Sequence, residues 1–558
     1  MQKHLVWVPL LVLVAAVTAA ADVQLPRMIG NNMVLQRDKP LPIWGWDEVG
    51  QKVAVTLGKA SATATAGQNG KWLVTLPAQK AGGPHILSIR GSSNVKLKNV
   101  LIGEVWICSG QSNMTWPLHR CQPPDGKTVP GANLPKIRHI RLPTVMAAKP
   151  LGNDSAAVGL THFGKQRGTK EAVLLPRPPD RDATAQHPGA GWQVCSPAAA
   201  RSSFTAVPYF FARELHKELG VPIGVINSGW GGSKIEPWIP PSGFKSVPEL
   251  KETLDSLDKR LSGRIDFNVP TAIYNGMVHP LVPYAIRGTI WYQGESNGNE
   301  GDSYVHKKRA LINGWRKEWK QGDFPFYFVQ LPNYLGSNND PQGGDGWARI
   351  REAQSKVPAQ LKNTGMAVTI DVGEGGNIHP SNKYSVARRL AIWALAKDYG
   401  KKHLVYSGPI YRSMKAVGDT IELTFDYVGS GLMAAKTSEF RSRESAKPMD
   451  KLDGFALAGA GTEIPEPVDK LDGFAIAGAD QKWHWADAVI KDNKVIVSSL
   501  KVEQPVAVRY AFSANPVRAN LYNREGLPAS PFRTDTWNFL RYRDHTLSAL
   551  VDERKSPP

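Results

Sequence analysis

Four short polar clusters, far apart in the sequence, each follow an apolar run, and together they hold the parts of an acyl-transfer site. Val105-Trp-Ile-Cys108 ends in Ser109-Gly-Gln-Ser-Asn113, and Val221 to Ile226 ends in Asn227-Ser-Gly-Trp-Gly-Gly-Ser233. Gly288-Thr-Ile-Trp-Tyr292 ends in Gln293-Gly-Glu-Ser-Asn-Gly298, and Gly365 to Ile370 leads through Asp371-Val-Gly-Glu-Gly-Gly-Asn-Ile to His379. Runs this short suit single buried strands, and in open α/β sheets ligands gather just beyond the strand carboxyl ends. Ser112 therefore stands where a nucleophile would stand, and His379 offers a base that titrates near neutral pH. Gly231-Gly232 allow backbone N–H groups to approach a ligand closely, and the Gln293 carboxamide adds a side-chain donor. Preorganised donors of this kind are what a developing oxyanion requires. The pattern is not the G-x-S-x-G elbow, because Met114 fills the second glycine position. Each residue has an ordinary reading of its own: a loop serine, a tight turn, a helix-entry histidine. Their convergence on strand ends favours chemistry.

The elements that must position these clusters are legible between them. Val207, Phe210, Phe211, Leu215 and Leu219 recur at helical spacing after Ser202-Ser203, and Gly220 ends that helix. A polar helix is expected over Pro248 to Leu261, and further helices over Tyr304 to Trp319, Trp347 to Val357 and Asn382 to Tyr399. Strands alternating with helices predict a parallel sheet covered on both faces. On its amino-terminal side, residues 22–100 carry short strands such as Leu41–Trp46, Lys52–Leu57, Trp72–Leu76 and His85–Ile89, punctuated by glycine, as in a small β-sandwich. On its carboxyl-terminal side, residues 404–545 return to short strands: Thr420–Phe425, Ala488–Ile490, Lys494–Ser498 and Val506–Tyr510. Residues 117–200, rich in Pro and Gly around one strand (Ile137–Leu142), read as a long insertion beside the site. Within 450–479, Asp450–Ala460 recurs nearly unchanged as Asp469–Ala479, a duplication expected to lie in an exposed loop. Residues 546–558 read as a tail.

Residues 1–21 have a basic start, an apolar run from Leu5 to Val17 and Ala19-Ala-Ala21, the pattern of a cleavable secretory signal. The mature chain is therefore expected outside the cytoplasm, secreted or periplasmic, and no later run reaches membrane-spanning length. Of three cysteines, Cys108 lies in an apolar strand, and Cys121 with Cys195 is the pair that an oxidising compartment would allow. No CxxC or HExxH spacing occurs, so neither a metal nor a cofactor is expected. The formal net charge of +19 is spread along the chain rather than massed in one tract. That distribution suits a solvated basic surface better than a nucleic-acid footprint.

Gly110-Gln-Ser-Asn-Met114, Trp230-Gly-Gly232 with Glu236-Pro-Trp238, Trp291-Tyr-Gln-Gly-Glu-Ser-Asn297, and Ile378-His-Pro380 with Asn382-Lys383 resemble the blocks of sialate O-acetylesterases. The resemblance extends from Asn32-Met-Val-Leu-Gln36 to Tyr522-Asn-Arg-Glu-Gly-Leu-Pro-Ala-Ser-Pro-Phe-Arg533. It implies an SGNH hydrolase domain over 101–403, with a flavodoxin-like three-layer α/β/α core flanked by the two β-rich units. It further implies Ser112 as nucleophile and His379 as base. The Ser112 N–H, a glycine N–H (Gly232 preferred over Gly231) and Gln293 would form the oxyanion hole, with Asn297 in reserve. Gln111, Asn113, Glu295 and Asn297 are the candidate substrate contacts, Glu295 being equally readable as structural. The chain departs from the common pattern at Gly376, where such hydrolases often place Asp. Asp371, Glu374 or a backbone carbonyl is left to orient His379. The expected substrate is an O-acetylated sugar, 9-O-acetyl sialic acid first and acetylated xylan or pectin second. The alternative is a sugar-binding protein with a degenerate core.

Overall fold

Asn94–Gly110 (β1) is one continuous strand that belongs to two parts of the molecule. Its first half pairs antiparallel with Gly82–Arg90, and its middle pairs parallel with Val34–Gln36. Its last residues lie between two parallel strands of the central sheet. The boundary drawn at residue 100 thus falls inside a strand, and the amino-terminal β unit is hydrogen-bonded into the core. From Val100 to Gly110 every residue is buried, as the apolar run Val105–Cys108 requires. The computed structural model describes residues 22–121, 132–152, 160–165, 172–176, 191–337, 339–436 and 465–538. The signal-like start, much of the insertion, the first copy of the duplication and the tail lie outside them.

The central sheet continues with Ile137–Arg141 (β2), Ile223–Gly229 (β3), Gly288–Tyr292 (β4), Phe326–Val329 (β5) and Thr364–Ala367 (β6). Its order is β2-β3-β1-β4-β5-β6, all parallel, with Gln193–Val194 antiparallel on the β2 edge. The direction of winding reverses around β1, so the crevice at its carboxyl end is the switch point where such sheets bind ligands. Ala206–Leu219 (α1), Ser303–Trp319 (α2), Gly346–Lys356 (α3) and Lys383–Asp398 (α4) cover the sheet. Trp106 and Tyr327 meet Phe211 of α1 and Trp393 of α4 on one face. Trp291 meets Trp315 of α2 on the other. The alternation of strand side chains separates these two aromatic clusters and produces the three layers.

Gly220 closes α1 in a left-handed conformation (φ 68°). The long polar helix expected from Pro248 is instead a 3₁₀ turn at Pro248–Leu250 followed by two short helices, Lys251–Asp255 and Leu257–Ser262. With few buried side chains to anchor one stripe, nothing holds that segment in a single helix. Cys121 and Cys195 are free and buried, as is Cys108, and the Cys195 thiol donates to the Ala132 carbonyl at 3.0 Å. Among the described residues no helix is long and apolar enough to cross a membrane.

The carboxyl-terminal β unit corrects one expectation. The second copy of the duplicated segment is not an exposed loop. Its Phe474–Ala477 is a fully buried strand between Trp483–Trp485 and Ala507–Tyr510. Alternation is absent from Phe-Ala-Ile-Ala because both faces are covered. The closing segment packs back on the core: the Gln330 amide donates to Ser530 Oγ at 2.9 Å, and Arg533 reaches Glu352 at 3.0 Å.

Candidate active site

At the carboxyl end of β1 the backbone is pinned on both sides. The Gln111 N–H donates to the Tyr292 carbonyl at 2.9 Å, and the Trp230 N–H donates to the Gly110 carbonyl at 3.0 Å. Gly110 itself sits at φ 135°, and a Cβ there would collide with the Tyr292 carbonyl. The tight departure of the chain toward Ser112 therefore requires glycine. Ser112 follows in a turn and is partly exposed, while Met114 is buried beneath it.

The base arrives from the far edge of the sheet. The loop from Asp371 to Ser381 is braced internally by Glu374, whose carboxylate accepts from the Ser381 N–H and Oγ at 2.6 and 2.7 Å and from the Asn377 amide at 2.7 Å. Asn377 also clamps the His379 backbone, accepting from its N–H and donating to its carbonyl, both at 2.9 Å. Asn382 then caps α4, its side chain accepting from the Ser385 N–H. The outcome is a 2.8 Å hydrogen bond between His379 Nε2 and Ser112 Oγ. Trp116 lies stacked on the imidazole, centroids 4.8 Å apart. Burial and the positive charge of Lys383 lower the His379 pKa from its ordinary value. Both effects favour the neutral ring, the form able to accept the serine proton.

Among the described residues no carboxylate orients the ring. Among the described residues no hydrogen bond reaches His379 Nδ1. Asp371, a candidate for that role, is gripped by the Arg389 guanidinium at 2.6 and 2.7 Å. Glu374, the other candidate, holds the loop rather than the imidazole. The ring is fixed instead by Trp116 on its face and by Asn377 on its backbone.

The donor side also differs from expectation. The Gln293 amide nitrogen donates to the Ser233 carbonyl (3.3 Å) and Asn297 Oδ1 (2.7 Å), and its oxygen accepts from Tyr304. Both of its N–H groups are therefore engaged away from the serine. Asn297 is equally committed, to the Ile235 N–H, Gln293, Glu236 and Glu300. Neither carboxamide is free for an oxyanion or a sugar. By contrast, among the described residues the backbone N–H groups of Ser112, Gly231 and Gly232 make no hydrogen bond. A Cβ on Gly231 would stand 3.4 Å from that of Ser112, and Gly232 is left-handed at φ 76°. These glycines bring unoccupied donors beside the nucleophile without a side chain to block it.

Of the expected substrate contacts, Asn113 and Glu295 are internal. Asn113 is 1% exposed and donates to Glu295 (2.6 Å) and the Ile378 carbonyl (3.0 Å) while accepting from Lys383 (2.7 Å). Burial raises the Glu295 pKa, and among the described residues no side-chain or backbone group is within hydrogen-bond geometry of its buried second oxygen. Gln111 is 3% exposed, and its oxygen accepts weakly from the Ser296 N–H at 3.5 Å. The surface beside the glycines is aromatic: Trp230 stacks on Phe267 at 5.8 Å, and both are partly exposed. From the sequence, Trp116 and Phe267 were not named for the site, and Lys383 stood only in the block Asn382-Lys383, with no role of its own. A tryptophan four residues beyond Ser112 and a lysine opening an apolar helix were the available signals.

A family model for "Carbohydrate esterase, sialic acid-specific acetylesterase" matches residues 204–393. Rat sialate O-acetylesterase is 30% identical over 480 residues, covering 75% of this chain and 82% of its own. The human sialate O-acetylesterase is 30% identical over 429 residues, covering 72% and 76%. Among solved structures, a carbohydrate acetylesterase from Xanthomonas citri superposes with a TM-score of 0.72 at 36% identity, covering 92% of this chain and all of the other. The protein is a carboxylic ester hydrolase, and it belongs to the sialate O-acetylesterase family.

Proposed function

We propose that the protein removes O-acetyl groups from a carbohydrate through an acetyl-enzyme on Ser112, with O-acetylated sialic acid as the first substrate. The 2.8 Å bond between Ser112 Oγ and His379 Nε2, beside unoccupied N–H donors, carries this reading. His379 takes the serine proton as Oγ attacks the acetyl carbonyl. The oxyanion forms against the Ser112 N–H and the Gly231 or Gly232 N–H, each donor supplying about 3 kcal/mol of barrier lowering. His379 then returns the proton to the departing sugar hydroxyl. Water, deprotonated by the same ring, releases acetate. Trp230 and Phe267 offer an apolar platform on which a sugar ring can rest. The signal pattern at residues 1–21 supports action outside the cytoplasm.

Acetate release from 9-O-acetyl sialosides, acetylated xylan and acetylated pectin tests the reading, with Ser112→Ala as control. The sialoside is expected to be preferred, and the variant to be inactive on all three. Preference for xylan or pectin would redirect the substrate assignment, and equal rates with and without Ser112 would overturn the mechanism. Trp230→Ala is expected to raise KM several-fold for the sugar ester while leaving p-nitrophenyl acetate hydrolysis unchanged.

A further inference from the structure

We propose that Lys383 is a positioning residue that does the work of the missing acid, tying the nucleophile loop to the base loop so that Ser112 and His379 meet. The inference rests on the Ser112–His379 reading above. Lys383 opens α4 and is 0% exposed. Its Nζ donates to Asn113 Oδ1 at 2.7 Å and to the Pro380 carbonyl. Asn113 adjoins Ser112, and Pro380 adjoins His379, so one ammonium group grips the immediate neighbours of both reacting residues. Asn113 adds a second tie, donating to the Ile378 carbonyl at 3.0 Å. The ammonium group is held between the rings of Trp116 and Tyr292, 5.6 and 6.0 Å from their centroids. Trp116 is the ring that lies on His379.

A filler for this gap would not be charged. Burying an ammonium costs several kcal/mol unless an anion answers it. The answer here is Glu295, linked to Lys383 through Asn113. Lys383 also faces Glu374 and Cys121, and the imidazole faces Ser112, Trp116 and Lys383, with Arg120 beyond the indole. A carboxylate beside His379 would favour the imidazolium. A cation disfavours it, so this arrangement keeps the base deprotonated to lower pH while fixing its position from behind.

The test compares wild type, Lys383→Met, Lys383→Arg and Glu295→Gln in p-nitrophenyl acetate hydrolysis across pH, with thermal unfolding in parallel. Lys383→Met is expected to lower kcat roughly 10- to 100-fold with KM nearly constant, since loosened positioning alone can cost that much. Its acid limb in kcat/KM is expected at higher pH, because the cation beside the imidazole is gone. Lys383→Arg keeps the charge and is expected to hold that limb near its wild-type position. Glu295→Gln removes the opposing anion, and its acid limb is expected at lower pH. This variant decides the matter should Lys383→Met fail to fold. Acid limbs that coincide in Lys383→Met and Glu295→Gln with wild type, or a Lys383→Met kcat within twofold of wild type, would overturn the proposal. An active Ser112→Ala would instead sink the underlying esterase reading.

Discussion

Oγ of Ser112 and the ring of His379 stand 2.8 Å apart, placed to exchange a proton, so each should be indispensable. Replacing either by alanine is expected to lower kcat about 10⁴-fold or more, as for other serine nucleophiles and their bases. Burial and Lys383 hold the imidazole below the ordinary histidine range. The base works deprotonated, so activity should fall only as pH drops through that lowered value, giving a kcat/KM acid limb below the free imidazole pKa. A limb at or above it would contradict the electrostatics described. Lys308 shows the same physics outside the site. Its Nζ is buried, without a hydrogen bond among the described residues, 4.5 Å from the Phe328 centroid and 5.1 Å from that of Trp291. Burial lowers its pKa well below the unfolded value, so the unfolded chain binds more protons in between, and stability rises with pH across that window. Lys308→Met is expected to stabilise the protein by about 1–2 kcal/mol at neutral pH, a gain that shrinks as pH approaches the ordinary lysine value. Urea titrations at pH 7 and 10 check it.

At the scale of elements, the strand ends were legible because apolar runs ending in polar clusters follow from the sheet itself. What they deliver was only partly legible. Ser112 and His379 are functional by position, and position follows from topology. Gln293 and Asn297 have the right chemistry at a right-looking place, yet their amides are consumed by Ser233, Glu236 and Glu300. Ser233 and Glu236 lie about 60 residues away in the sequence, and no local pattern encodes contacts of that range. The same holds for Asp371, whose partner Arg389 comes from α4. Removing one member of a buried pair strands the other, so Asp371→Ala should cost about 3–5 kcal/mol in urea unfolding. The acid limb of its kcat/KM profile should nonetheless stay in place, since Asp371 anchors the loop root rather than the ring. A shifted limb would restore Asp371 as the orienting acid.

Across the whole molecule, the carboxyl-terminal β unit supports the loop that carries the base. Asn515 donates to the Leu335 carbonyl and accepts from Asn333, whose side chain accepts from the Gly373 N–H. The Arg351 guanidinium donates to the carbonyls of Leu331 and Pro332 on the core side and of Ser513 and Ala514 on the other. The return of the chain to short strands was readable. That they buttress the active site was not, because the contacts join residues far apart in sequence. Arg351→Met should therefore lower stability by about 2–3 kcal/mol through the lost charged hydrogen bonds, and should reduce activity by loosening the His379 loop. The central claim is an acetyl group carried by Ser112. Acid-quenched reaction with p-nitrophenyl acetate, followed by peptide mass mapping, should find one acetyl group on the peptide containing Ser112 and none in Ser112→Ala. Acetylation at another residue, or turnover with no labelled serine at any quench time, would contradict the account.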